Sequence, residues 1–238
     1  MNQPGPLLNR RQLIVGSSAT AAAVALGGCG GKDQPIVRPA GVPVGRFGKK
    51  STAEEVTAGI DLRGRTALIT GANSGLGYEA MRVLAMRGAH VLCAARTLEK
   101  AAAACAGIQG RTTPVVIELT DFPSIVVGTD AVRAMGMPID MLILNAGIMA
   151  LPELEQVNGL EKQFVTNHLG HFIVGNRLLP QVQAAAQGRV VVLTSSGYKW
   201  APESGIEFDN LSGERDYKPN KMYGQSKLAN HLYVRQLA

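Results

Sequence analysis

A tyrosine and a lysine stand four positions apart near the end of the chain, at Tyr223 and Lys227. On a helix, residues four apart lie on the same face, so one ligand can reach both side chains. The pKa of a free tyrosine is about 10, which is too high for efficient proton transfer at neutral pH. A nearby ammonium group favours the phenolate, and Ser196, at the end of a predicted strand, can hydrogen-bond a reacting oxygen. These residues suit proton transfer to or from such an oxygen.

A glycine-rich turn lies far upstream, between an apolar segment and a helical pattern. Glycine permits a tight turn, the approach of the backbone to a pyrophosphate, and close packing of a helix on a strand. The following helix presents free N–H groups and the positive end of its dipole to phosphates. We therefore predict that this turn binds a dinucleotide through Gly71, Asn73, Ser74, Gly75, Leu76 and Gly77.

Alternating strands and helices must position these residues. Short apolar segments predict buried strands at 66–70, 90–94, 114–119, 141–145 and 189–194. Periodic segments predict helices at 79–87, 98–106, 123–134, 160–179 and 223–237. Near-continuous apolar strands that alternate with helices predict an α/β fold with a doubly wound parallel sheet, Rossmann-like, and a ligand at the carboxyl ends of its strands.

Five motifs, in order over residues 57–238, resemble those of the short-chain dehydrogenase/reductase family. The glycine turn has the spacing G-x-x-x-G-x-G after a threonine, and Leu144-Asn145-Ala146-Gly147 is similar to the family's N-A-G motif. Residues 164–172 resemble a helix of the retinol-dehydrogenase-like branch. Thr194-Ser195-Ser196 resembles the segment with the catalytic serine, for which Ser196 is the better match. Tyr223-Gly224-Gln225-Ser226-Lys227 supplies the pattern Y-x-x-x-K.

The resemblance implies an oxidoreductase that transfers a hydride between a nicotinamide cofactor and a small or apolar carbonyl compound or its alcohol. By the same resemblance, Tyr223 is the general acid in reduction and the base in oxidation. Lys227 favours the phenolate and holds the cofactor ribose, Ser196 orients the substrate oxygen, and Asn167 helps to position the lysine through water. The residues implied in cofactor binding here are Asn145, Ala146, Gly147, Tyr223 and Lys227.

The end of the second predicted strand indicates which dinucleotide is bound. The strand runs into Ala95-Arg96, without a carboxylate for the ribose 2′-hydroxyl. Arg96 is placed to meet a 2′-phosphate, so we predict NADP(H) in preference to NAD(H). After the third strand, where the family has an aspartate beside the adenine, this chain has Glu118. Either Glu118 takes that place or Asp121 does.

Histidines and cysteines do not indicate a metal site. His168 and His171 lie near Asn167, but no cysteine or carboxylate cluster stands at metal-ligand spacing from them. We therefore predict that they pack in the helix or lie on its surface. Cys93 and Cys105 fall in a predicted strand and helix, which does not indicate a disulfide framework.

Residues 1–28 are typical of an export signal peptide. Arg10-Arg11 resembles the pair of a twin-arginine signal, and the uncharged segment 13–26 is shorter than the about 20 residues that span a bilayer. Leu26-Gly27-Gly28-Cys29 resembles the lipobox of bacterial lipoproteins. We predict an exported protein, periplasmic or at the cell surface, that contacts a bacterial membrane through lipidated Cys29. The alternative is a disordered leader on a cytoplasmic protein.

Residues 29–56 are predicted to form a tether and a short helix. They mix glycine, proline and basic residues without a period, and Ser51 and Glu54 have the spacing of a capping box. The formal net charge of the chain is +6, but residues 1–50 hold 7 basic residues and 1 acidic residue, and the remaining 188 hold 17 of each. A domain without net charge argues against nucleic acid as a partner.

The chain ends at Ala238, inside the predicted helix that carries Tyr223 and Lys227. Members of the family continue with further strands and helices, so the sequence predicts a single domain, 57–238, that lacks its last strands. The fifth strand is then an exposed edge. Separately, the full-length protein is expected to be a homo-oligomer. The competing hypothesis is a nucleotide-binding protein without turnover, or an inactive truncated remnant. The intact Ser196, Tyr223, Lys227 and Asn167 argue against a binding protein, whereas the missing segment favours a remnant.

Overall fold

Seven strands are found in the computed structural model, which describes residues 45–48 and 50–238. They are β1 Thr66–Thr70, β2 His90–Ala95, β3 Thr112–Val116, β4 Met141–Leu144, β5 Gln156–Val157, β6 Leu160–Glu161 and β7 Arg189–Val192. Five of them form a parallel sheet in the order β3-β2-β1-β4-β7, and β5 pairs with β6 as a short antiparallel hairpin. The strand order reverses at β1, and in such sheets the ligand crevice lies between β1 and β4.

Within the described residues, seven helices precede, connect or follow these strands. They are α1 Ala53–Val56, α2 Gly75–Met86, α3 Leu98–Ala106, α4 Phe122–Ala134, α5 Lys162–Phe164, α6 Gly170–Gln183 and α7 Pro219–Leu237. A π-helical turn, Val165–Leu169, joins α5 to α6, and two 3-10 turns, Ser196–Trp200 and Phe208–Asn210, precede α7.

The sheet is covered on both faces, because successive side chains of a strand point to opposite sides. Leu68 of β1 belongs to one hydrophobic cluster, which includes Ile125 of α4 and Leu178 of α6. Its neighbour Ile69 belongs to a second cluster, which includes Met81 of α2. All five residues of β1 are buried, as expected for a strand in the middle of a parallel sheet. The predicted doubly wound α/β fold is confirmed.

Some predicted boundaries are wrong by a few residues. β3 occupies 112–116 rather than 114–119, and Pro114 is tolerated in it because β3 is an edge strand. The helix predicted at 160–179 is preceded by the β5–β6 hairpin and continues through Pro180 to Gln183. α2 and α7 each begin four residues earlier than predicted, α7 with Pro219 in its first turn, where its missing N–H costs no hydrogen bond.

The short helix α1 is present, but its capping box lies one residue later than predicted. Thr52 Oγ1 accepts a hydrogen bond from the Glu55 amide, and the Glu55 carboxylate accepts one from the Thr52 amide. Arg82 of α2 forms an ion pair with Glu54, and Arg87 donates to the Glu54 carbonyl. These contacts attach α1 to α2.

The predicted signal peptide 1–28, with Arg10 and Arg11, and the predicted lipidation site Cys29 lie outside the described residues. Within residues 45–48 and 50–238, no helix combines the length and the apolar character needed to span a membrane. At one end of the sheet, β7 pairs with β4 alone, and its Val191 is 45% exposed.

Candidate active site

The loop between β1 and α2 has the geometry that a phosphate-binding turn requires. Gly71 and Gly75 adopt φ angles of +65° and +56°, which side chains other than glycine rarely adopt. A Cβ built at Gly77 would overlap the Gly71 carbonyl oxygen and lie 2.6 Å from Asn145 Nδ2. Glycine at these positions therefore allows the turn and the close packing of α2 on it.

A cavity of about 500 Å³ opens at the carboxyl ends of β1, β2, β3 and β4. It brings together most of the residues predicted to bind a cofactor: Gly71, Asn73, Ser74, Leu76, Arg96, Asn145, Ala146 and Gly147. Gly75 and Gly77 shape the loop without lining the cavity. The Leu76 side chain is 76% exposed at its wall, an apolar surface available to cover a ligand.

Arg96 and Glu118 both lie in the cavity wall, after β2 and after β3. The Glu118 carboxylate accepts hydrogen bonds from the amide and the hydroxyl of Thr120, which also lines the cavity. Asp121 instead caps α4 by accepting from the Ser124 amide. Of the two carboxylates considered for the adenine site, the structure thus places Glu118 at the cavity and uses Asp121 as a helix cap.

Thr70, the last residue of β1, connects the glycine loop to the segment after β4. Its Oγ1 accepts hydrogen bonds from the amides of Asn145 at 2.9 Å and Ala146 at 3.1 Å. The same atom lies 2.8 Å from His171 Nε2. Because His171 Nδ1 faces the Asn167 carbonyl at 3.0 Å, Nδ1 carries the proton and Nε2 accepts from the Thr70 hydroxyl.

His171 is fully buried in this network, and burial lowers its pKa to about 4. His168 packs among the rings of Phe164, Phe172 and Tyr233, and burial lowers its pKa as well. Both histidines are therefore neutral at physiological pH. Among the residues that the structure describes, no group of three or more histidines, cysteines and carboxylates could hold a metal ion.

Asn167 lies in the π-helical turn and is completely buried. Its Oδ1 accepts from the Ile148 amide at 2.9 Å, and its Nδ2 donates to the Ile148 carbonyl and to Ser226 Oγ, both at 2.9 Å. A Cβ built at Gly147 would lie 3.1 Å from Asn167 Oδ1 and 3.5 Å from Lys227 Nζ. Gly147 therefore leaves room for both side chains beside the end of β4.

Tyr223 and Lys227 lie one turn apart on α7, as their spacing predicts. Lys227 Nζ donates to the Leu193 carbonyl at 3.2 Å and lies 5.6 Å from the centre of the Tyr223 ring. The lysine side chain is buried, and burial lowers its pKa to about 8. At neutral pH it therefore remains mostly an ammonium ion next to the phenol.

The two serines after β7 sit in different environments. Ser195 is half-buried, and its Oγ accepts from the Gly197 amide, whereas Ser196 is exposed. A Cβ built at Gly197 would lie 2.8 Å from Tyr223 Cε1, so this turn packs directly against the phenol ring. A Cβ at Gly224 would lie 2.5 Å from the Ala201 amide, which shows how closely α7 approaches the same turn.

Several residues of this site were not predicted from the sequence. Thr70, His171, Ser226 and Asn230 all hydrogen-bond to the predicted residues or their backbone. These polar side chains are recognised in the structure by their burial. The sequence gives an indication only for Asn230, which follows Lys227 by three positions and therefore lies on the same face of the helix.

This arrangement can bind a dinucleotide and exchange a proton. The glycine loop, the N-terminus of α2 and the cavity suit a pyrophosphate and its nucleosides, and the close-packed Gly77 leaves no room for a side chain there. Next to Gly147, which lines the cavity, the buried Lys227 ammonium lies near the Tyr223 phenol, although neither residue lines the cavity itself. The residues present therefore fit a nicotinamide dinucleotide.

Comparison with known proteins supports the same family. The model of the family described as "short chain dehydrogenase" matches residues 65–204. A short-chain dehydrogenase, TIC 32 B, chloroplastic, of Brassica napus is 40% identical over 202 residues, covering 81% of this chain and 63% of that protein. Retinol dehydrogenase 11 of Mus musculus is 37% identical over 187 residues, covering 76% of this chain and 58% of that protein. The chain thus spans less than two thirds of the length of these relatives.

A solved structure has the same architecture. The crystal structure of a putative uncharacterized protein from Mycobacterium Paratuberculosis superposes with a TM-score of 0.65 at 38% identity, covering 75% of this chain and 63% of that one. The family binds NAD(P), and its members are oxidoreductases that act on small molecules. The chain belongs to the short-chain dehydrogenase/reductase family.

Proposed function

We propose that the protein transfers a hydride between NADP(H) and a small or apolar carbonyl compound or its alcohol, with Tyr223 as the general acid or base. The observation that carries this proposal is the position of Tyr223 and buried Lys227 one turn apart on α7, with Lys227 Nζ next to Gly147, which lines the cavity. When bound, NADP(H) supplies or accepts the hydride. The mouse relative named a retinol dehydrogenase supports an apolar substrate.

In this proposal, the chain's own residues bind the cofactor and move a proton. The glycine loop and α2 hold the pyrophosphate, and Arg96 binds the 2′-phosphate through a charge-assisted contact. Tyr223 donates the proton of its phenolic oxygen to the carbonyl oxygen during reduction, or receives it during oxidation. The Lys227 ammonium stabilises the phenolate that remains. Ser196 hydrogen-bonds the substrate oxygen, and Asn167 fixes the segment after β4 against α7.

The serine assignment is tested by two neighbouring variants. We expect Ser196→Ala to lower kcat by about 10–1,000-fold for the reduction of octanal or all-trans-retinal by NADPH, because a donor to the developing charge is lost. Ser195→Ala removes a cap of the 3-10 turn and is expected to cost less than about 1 kcal/mol of stability with little loss of rate. The loss of NADPH absorbance measures the rate of both variants. If Ser195→Ala is the inactive variant, Ser195 and not Ser196 orients the substrate.

We also propose export and lipid anchoring. A twin-arginine route carries folded proteins, which agrees with a domain that binds its dinucleotide in the cytoplasm. Several acyl chains on Cys29 would anchor the protein stably, since each buried CH₂ contributes about 0.8 kcal/mol. The basic residues Lys32, Arg38, Arg46, Lys49 and Lys50 would add weak attraction to anionic lipid.

Fractionation of cells labelled with a radioactive fatty acid tests the proposed export and lipid anchoring. Replacing Arg10 and Arg11 by lysines is expected to retain the precursor in the cytoplasm, and Cys29→Ser is expected to prevent labelling without preventing export. Cys105→Ser is the control, because that thiol lies in α3 of the folded domain. An unlabelled wild-type protein found in the cytosol with residues 1–28 attached would refute the proposal and support a cytoplasmic protein with a disordered leader.

A competing function is nucleotide binding without turnover, by this chain or by an inactive remnant. It predicts that NADPH binds but that the wild-type protein reduces no carbonyl compound, so that variants of Tyr223, Lys227 or Ser196 have no turnover to lose.

Association of the full-length protein into a homo-oligomer is a further proposal, which sedimentation of that protein tests.

A further inference from the structure

Asn230 is a buried polar residue of α7 that the proposed reaction does not use. Its side chain is 1% exposed and lies one turn after Lys227. Its Nδ2 donates to two backbone carbonyls, to that of Asn167 at 2.9 Å and to that of Leu193 at 3.2 Å. Its Oδ1 lies 3.2 Å from His168 Nδ1. Both amide hydrogens and the amide oxygen of Asn230 are therefore engaged.

The two carbonyls that Asn230 contacts belong to the candidate active site. The Leu193 carbonyl, just after β7, is also the acceptor of the Lys227 ammonium at 3.2 Å. The Asn167 carbonyl, in the π-helical turn, accepts a second hydrogen bond from His171 Nδ1 at 3.0 Å. Two donors fill the acceptor positions of a carbonyl oxygen. Two side chains thus donate to the Asn167 carbonyl.

We propose that Asn230 is a positioning residue. Its carboxamide donates to both the Asn167 and the Leu193 carbonyls and thereby holds in place the Leu193 oxygen, which accepts a hydrogen bond from the Lys227 ammonium. π-Helical turns are rare and are often found at functional sites. Asn230 contacts this turn from α7, the helix that carries Tyr223 and Lys227. The role rests on the proposed function, since Lys227 matters only if Tyr223 exchanges a proton.

A purely structural role must be distinguished from this one, because the loss of any buried hydrogen-bonding side chain destabilises a protein. The distinguishing quantity is the pKa of Lys227. The titratable groups around Asn230 are Lys227 and Tyr223 on its own helix, Tyr233 one turn later, and His168 and His171 on the facing helix. Burial lowers the pKa of both histidines, so neither gains charge above about pH 6.5.

The first variant is Asn230→Asp, which keeps the shape of the side chain but replaces two donors by an acceptor. A carboxylate that close to the ammonium is expected to raise the pKa of Lys227 by about one unit above its value of about 8, which tests only that the two side chains are neighbours. Nuclear magnetic resonance of [¹⁵N]lysine-labelled protein, with the signal assigned by Lys227→Arg, measures this without substrate. The matched control is Asn176→Asp, an exposed asparagine of α6, which is expected to leave the pKa of Lys227 unchanged.

The second variant is Asn230→Leu, which fills the same space without hydrogen bonds. If Asn230 positions the ammonium, the pKa of Lys227 is expected to fall in this variant, because the carbonyl that accepts from the ammonium is no longer held in place. The kcat is expected to fall by about tenfold or more, because small displacements in an active site are costly. A Lys227 pKa that moves by less than about 0.3 unit in Asn230→Leu, or a kcat of that variant within about twofold of wild type, would overturn the proposal. Since the resonance measurement needs no turnover, failure of the proposed reaction would be seen separately from failure of this role.

Discussion

Replacement of Tyr223 by phenylalanine is expected to lower kcat by about 10²–10⁴-fold, because a positioned general acid contributes that much to proton transfer. Phenylalanine keeps the ring that packs against Gly197, so the fold and the binding of NADPH should be preserved. Steady-state reduction of octanal measures the rate, and quenching of protein fluorescence by NADPH measures the dissociation constant.

Tyr233→Phe is the control for this experiment. Tyr233 lies on the same helix, is buried, and has a hydroxyl without a hydrogen-bond partner among the described residues. Its removal is therefore expected to leave kcat unchanged. Equal rates for wild type and Tyr223→Phe would exclude the phenol as the proton donor, and a matching loss in Tyr233→Phe would indicate a general disturbance of α7.

Replacement of Arg96 by alanine is expected to weaken the binding of NADPH by about 1.5–3 kcal/mol, or roughly 10–150-fold in dissociation constant. The physical reason is the loss of a charge-assisted contact with the 2′-phosphate, at a residue that lies in the cavity wall directly after β2. The affinity for NADH should change by less than about twofold, because NADH lacks that phosphate.

Fluorescence titrations with both dinucleotides measure this difference. Arg215→Ala serves as the control, since Arg215 is exposed and forms an ion pair with Asp209 away from the cavity-lining residues. An equal loss of affinity for NADPH and NADH in Arg96→Ala would show that Arg96 does not distinguish them, and the preference for NADP(H) would then have to come from another residue.

The sequence predicted well the parts of the site that depend on local patterns. The glycine loop after β1 is such a part, because positive φ angles at Gly71 and Gly75 and the close contact of Gly77 require that residue type. The pair Tyr223 and Lys227 is another, since a spacing of four fixes the face of a helix. The order and type of the main elements followed from the same kind of pattern.

Contacts between distant parts of the chain could not be predicted. Thr70 and His171 are 101 positions apart, and Asn167 and Asn230 are 63 apart, yet each pair is joined by a hydrogen bond inside the fold. No local period indicates such pairs, because they form only when the strands and helices pack. The π-helical turn at Asn167 was also missed, and two residues far along the chain, Ser226 and Asn230, hydrogen-bond to Asn167 there.

The spacing of residues along the chain did not show which carboxylate after β3 faces the cavity. Glu118 and Asp121 both follow β3 closely in sequence, and either could have faced the cavity. The structure separates them because α4 needs a cap and Asp121 accepts from the Ser124 amide. Glu118 is left to line the cavity with Thr120.

The transfer of deuterium tests the central claim most directly. NADPH that carries deuterium in place of both hydrogens at C4 is incubated with octanal or all-trans-retinal and the protein, and the alcohol formed is examined by mass spectrometry. The proposed function predicts one deuterium per molecule of alcohol with wild-type protein and a rate about 10²–10⁴-fold lower with Tyr223→Phe. An unlabelled alcohol, or no alcohol from any carbonyl compound while NADPH binds to the cavity, would contradict it.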